Sequence, residues 1–252
     1  MKKIKLKYSA TQKTICLFAL LMLSSTSNTL QADETPNGFQ FELTPYLWAA
    51  TIQGTTSIDG GESPPYDSDY SFFALDNLDG VASATFTAQK EQWGFLVDFL
   101  YVGYEDTFKE GTSLALTARL EGIVMELAGT YAPASTGNFD FIAGFRHQDI
   151  TVSTAFINND AEKSVAWIDP FLGVIYARPL SEKFHMALRG DVGGFGIESD
   201  MAVNAEVMFR YQMNKTASIK FGYRYLKVEF DDNDLVYDIS LDGVLVGLGI
   251  RF

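Results

Sequence analysis

The last stretch of this chain alternates without a break. Val244, Val246, Leu248, Ile250 and Phe252 fall on one parity, and Leu245, Gly247, Gly249 and Arg251 on the other. Successive side chains of a strand point to opposite faces, so one face is apolar and the other small or charged. In a soluble sheet such a strand would leave an exposed, aggregation-prone edge. In lipid it is required, because a sheet that spans a membrane must close on itself to satisfy its backbone. The chain is therefore expected to fold as a closed barrel whose last strand seals against its first.

The other end of the chain agrees. Lys2, Lys3, Lys5, Lys7 and Lys13 precede an apolar run from Ile15 to Leu23, followed by polar residues and then Ala32. This is the pattern of a secretory signal peptide, residues 1–32. The apolar run is far short of the roughly 20 residues of a spanning helix. Ala32 suits the cut, while Leu30 is larger than the usual residue two places earlier. Cleavage removes Cys16, so the mature chain, 33–252, has no disulfide or thiolate chemistry. It also removes five lysines and no acid, taking the net charge from −13 to −18. That balance argues against nucleic acid as a partner. The chain holds 20 Phe, 12 Tyr, 3 Trp and 21 Gly. Such an aromatic- and glycine-rich composition in a secreted, strand-patterned chain is that of an outer-membrane barrel.

The alternation predicts an all-β, closed antiparallel transmembrane barrel of about ten strands, with eight or twelve as alternatives. The expected strands are Phe39–Ser57, Gly80–Lys90, Trp93–Glu105, Ser113–Tyr131, Phe139–Ser153, Val165–Arg178, Phe184–Ile197, Met201–Gln212, Ser218–Phe230 and a last one from Val236. In the fourth, the polar parity switches between Arg119/Glu121 and Glu126, which predicts a β-bulge near Gly122. Residues 59–79 read as a long polar loop, whose second half, Tyr70–Leu78, is a candidate short helix or a segment folded into the barrel mouth. Short connections alternate with mostly longer acidic ones, the asymmetry of periplasmic turns and outer loops.

The polar parities collect an inward set. Its acids are Glu42, Asp98, Glu121, Asp140, Asp169, Asp191 and Glu206; its bases are Arg119, Arg146, Arg189, Arg210, Lys220, Arg224 and Arg251. Charges in a narrow lumen must be paired. The set therefore predicts cross-strand ion pairs that fill the barrel, the alternative being a narrow channel for small solutes or ions gated by the same pairs. The loop acids could bridge divalent cations to lipopolysaccharide. Asp231, Asp232 and Asp234 lack the spacing of an EF-hand, and no metal site or cofactor is expected. Catalysis is not expected either. The only histidines are His147 and His185, placed by parity at opposite ends of the barrel. His147 with Asp149 and Ser153 is the best triad that can be assembled, and no G-x-S-x-G motif accompanies it. A hydrolase or acyltransferase at the outer rim is thus the weakest of three readings.

Three segments carry a resemblance: LTPYLWAA from Leu43 to Ala50, LRGDVGGFG from Leu188 to Gly196, and GYRYL from Gly222 to Leu226. With the Arg251–Phe252 end, the chain resembles a little-characterised group of small outer-membrane β-barrel proteins of Gram-negative bacteria. More distantly it resembles OmpA/OmpW-like and opacity-type barrels. The resemblance implies this outer-membrane architecture but no agreed reaction or ligand; the residues themselves are read as a monomer in contact with lipid and lipopolysaccharide, with a structural or surface-interaction role. The resemblance also implies that Phe252 is the insertion signal read by the barrel-assembly machinery.

Overall fold

The computed structural model describes residues 38–58, 66–71, 78–108, 116–156, 159–232 and 235–252. The signal-peptide expectation lies outside the described residues. The strands are β1 (Gln40–Ile58), β2 (Tyr66–Ser71), β3 (Leu78–Lys90), β4 (Trp93–Phe108), β5 (Leu116–Tyr131), β6 (Phe139–Phe156), β7 (Asn159–Pro179), β8 (Phe184–Gly193), β9 (Met201–Gln212), β10 (Ala217–Asp232) and β11 (Leu235–Arg251). Ten of them make a closed antiparallel barrel, in which β1 pairs with β3 on one side and with β11 on the other. The eleventh, β2, is a short strand laid against β1 at Thr51–Gly54. It occupies part of the segment read as an open loop. Of Tyr70–Leu78, residues 70–71 belong to β2 and Leu78 opens β3, while 72–77 lie outside the described residues.

The seam forms as the alternation requires. β1 and β11 pair from Glu42↔Arg251 to Ile58↔Leu235. At its end the Phe252 N–H donates to the Phe41 carbonyl at 3.1 Å, and the Phe41 N–H to the Phe252 carbonyl at 3.3 Å. Their rings stack at 5.9 Å. Gly243 lets the two backbones approach, since a Cβ there would lie 1.8 Å from the Ala49 carbonyl oxygen.

The outer surface carries an apolar belt. Leu47, Phe95, Leu127, Phe145, Leu172 and Val246 are all exposed on it. At the end where the turns are short, aromatic pairs ring the barrel: Phe41–Phe86, Trp93–Tyr131, Phe139–Tyr176 and Phe184–Phe209. An aromatic girdle below an apolar band is what a lipid interface selects.

The strands outrun that band. The 21-residue β7 rises roughly 50 Å at a ~40° tilt, about twice the ~25 Å apolar band. Polarity inverts along the long strands, such as β1 and β10, at the level where the band ends. On β10 the outward residues run Ile219, Phe221, Tyr223, Tyr225 and then Lys227, Glu229, Asp231, while the inward ones run Ser218, Lys220, Arg224 and then Leu226, Val228, Phe230. On β1 outward Leu43 and Leu47 give way to Thr51 and Gln53, and inward Glu42 and Thr44 to Trp48 and Ala50. The outer half of the barrel is thus built like a soluble protein, wet outside and apolar inside. Its core gathers Trp48, Leu100, Val124, Ile150, Trp167, Leu226, Val228, Phe230, Tyr237 and Ile239. Trp167 stacks on Phe230 at 4.6 Å and meets the edge of Tyr237 at 5.8 Å, bridging the barrel above the short β8–β9 hairpin.

Candidate functional site: the lumen

Below that apolar core lies a layer of charges. β5 runs through Gly122 in unbroken register with β4 and β6, so the expected bulge is absent. With parity kept, Glu126 points inward beside buried Val124 and Ala128, while Arg119 and Glu121 share the outward parity of exposed Met125 and Leu127. Arg119 and Glu121 therefore do not belong to the lumen. They sit where the outer half of the barrel meets water, and there polar residues face out.

Glu126 is the hub that sequence reasoning missed. It accepts from Arg146 Nε at 2.9 Å, from Arg189 Nη2 at 2.8 Å and from Arg224 Nη2 at 2.9 Å. Arg146 also reaches Asp191 at 2.7 Å, Arg189 reaches Asp191 at 2.8 Å, and Arg224 reaches Asp98 at 3.1 Å. Three guanidiniums and three carboxylates thus close a network between β4, β5, β6, β8 and β10. Arg146 and Glu126 have no exposure at all. Neutral donors fill the remaining positions: Tyr46 and Thr85 hydroxyls donate to Asp98 at 3.1 and 2.7 Å, and Asn204 bridges Arg224 to Asp191. Arg146 Nη1 has no hydrogen-bond partner. Its guanidinium lies 4.9 Å from the Phe171 ring centroid, and that of Arg224 5.1 Å from Trp48, so aromatic faces supply part of the stabilisation that water would give.

Asp169 was expected among the ion pairs and is held otherwise. It is fully buried and accepts from the Trp167 indole at 3.0 Å, the Ser199 hydroxyl at 2.8 Å and the Ser199 N–H at 3.0 Å. It thereby pins the 194–200 loop into the barrel. Asp140 keeps its inward parity, but no ion-pair partner meets it among the described residues. Glu206 sits in register between Arg189 and Arg224, both of which spend their hydrogen bonds on other acids. The remaining expected charges form a second group at the short-turn mouth of the barrel. Glu42 accepts from Arg210 and Arg251 at 3.0 Å each and pairs with Lys220.

The histidines lie apart. His147 is on the outward parity of β6, with Nδ1 3.1 Å from the Trp167 carbonyl, and Ser153 donates to Glu162 at 3.3 Å, so the assembled triad does not form. His185 faces inward at the short-turn end of β8.

No family model and no curated protein matches the chain. Among solved structures it is similar to the outer membrane protease OmpT from Escherichia coli (10% identity, 86% of this chain and 98% of that one, TM-score 0.48). It is also similar to Ail, the attachment invasion locus protein of Yersinia pestis (10%, 86% and 99%, TM-score 0.39), and to Neisserial surface protein A (11%, 85% and 99%, TM-score 0.32). The class rests on the chain's own geometry. A closed antiparallel barrel with an apolar, aromatic-rimmed exterior is a transmembrane β-barrel.

Proposed function

We propose that this is an outer-membrane protein of a Gram-negative bacterium, exported through a cleaved signal and working as a filled barrel with a structural or surface-interaction role. One observation carries the reading. The lumen is crossed first by the Glu126-centred charge layer and then by the apolar core from Trp48 to Ile239. A wet, conducting bore needs neither, and wide aqueous pores are built from about 16 strands. The outer half, standing above lipid with its acidic exterior, is the part offered to the surroundings. Lipopolysaccharide bridged by divalent cations is the partner this suits, with the barrel-assembly machinery as the partner during insertion and the monomer as the working form. A catalytic role finds no support in the placement of His147 and His185. Liposome swelling tests the proposal: vesicles carrying the refolded protein should swell in arabinose no faster than empty ones, and rapid swelling would overturn it.

A further inference from the structure

The periplasmic end of the lumen is not filled. A chamber of about 430 Å³ lies beneath the charge layer, within the range of small-molecule sites. It exists because the inward residues at this level are short, among them Thr44, Thr87, Ala177, Ala187 and Gly247. Leu96, Ile175, Met208 and Leu245 give it apolar walls. Arg210 and Lys220 line its mouth, and they share the single carboxylate of Glu42, just outside, with Arg251. His185 stands beside Arg210 in register, and its Nδ1 is buried without a hydrogen-bond partner. The two acids that line the chamber itself are matched from above: Asp98 pairs with Arg224, and Glu206 is flanked by Arg189 and Arg224. In a chain of strongly acidic balance, positive charge is in excess at this one mouth, over walls that are largely apolar.

Convergent cations of this kind recognise carboxylate or phosphate oxygens. We propose that the chamber binds a small organic anion from the periplasmic side. Its carboxylate or phosphate group sits against Arg210 and Lys220, and its apolar body lies along Leu96, Ile175 and Met208. The charge layer, through Asp98, Arg189 and Arg224, forms the ceiling of this site.

Methionine-methyl NMR of the refolded protein in zwitterionic micelles tests this. Benzoate, phenyl phosphate and the matched cation benzylammonium are titrated in turn. The Met208 methyl reports the chamber, and the exposed Met125 and Met201 methyls report partition into the micelle. Benzoate, phenyl phosphate or both should shift Met208 saturably, with a midpoint below about 10 mM, a modest affinity. Which anion binds tells carboxylate from phosphate as the natural group. Arg210→Gln and Lys220→Gln should each weaken the midpoint about tenfold, the effect of one charged hydrogen bond. Heat-dependent gel mobility confirms that each variant is folded. The proposal is overturned if Met208 shows no saturable shift, if benzylammonium shifts it equally, if Met125 and Met201 move in parallel, or if folded variants bind as the parent does.

Discussion

Replacing Glu126 by Gln tests the charge layer at its centre. The parent network sets Arg146, Arg189 and Arg224 against Glu126, Asp98 and Asp191, three charges of each sign with almost no exposure. Glu126→Gln leaves three cations facing two acids. Breaking a buried pair costs about 3–5 kcal/mol, because the partner charge stays behind in a medium that solvates it poorly. Each arginine keeps one acid, Asp191 for Arg146 and Arg189, and Asp98 for Arg224. The low end, about 3 kcal/mol, is therefore expected. The assay is guanidinium unfolding and refolding in micelles, followed by tryptophan fluorescence. Trp48, close to Arg224, contributes a signal from the layer. The control is Glu121→Gln on the same strand, where an outward, water-facing side chain should cost no more than about 0.5 kcal/mol. A cost below about 1 kcal/mol for Glu126→Gln would mean that the lumen is wet. An equal cost at Glu121 would mean that β5 is bulged and that the inward parity assigned to Glu126 is wrong.

Other regions make separate predictions. Leu226 is completely buried in the outer core, so Leu226→Ala should lower stability by about 2–5 kcal/mol in the same unfolding assay. Asp169→Asn removes the charge that holds the Ser199 N–H and hydroxyl, and amide exchange at Ser199 should speed up by about tenfold or more. Gly243→Ala forces a Cβ onto the Ala49 carbonyl; the heat-modifiable folded band should weaken, whereas Gly190→Ala, where a Cβ meets nothing within 4 Å, should leave it unchanged.

The barrel, its seam and most of its lumen were legible because alternation survives any tertiary context. Arg251 with Glu42, and Phe252 against Phe41, follow directly from the parity of the first and last strands. The rest was obscured by one physical fact. In lipid a polar residue must face in, but above lipid it must face out, and the chain crosses that boundary midway along its strands. Arg119 and Glu121 lie beyond the boundary and Glu126 below it. With every polar residue assigned to the lumen the parity switches along β5 and a bulge is required; with the inversion it does not. The same inversion hid the outer core, since Leu226, Val228 and Phe230 occupy the parity that Lys220 and Arg224 mark as polar. The bond from Asp169 to Ser199 had no signal in the sequence, because it depends on a loop folding back into the barrel.

Single-channel recording in planar bilayers bears most directly on the central claim that charge layer and apolar core together close the bore. Refolded protein at neutral pH should insert and remain electrically silent, while a variant that opens both layers, Glu126→Gln with Leu226→Gly, should show at least intermittent current. Stable unitary conductance from the parent protein would contradict the claim and make the barrel a narrow channel.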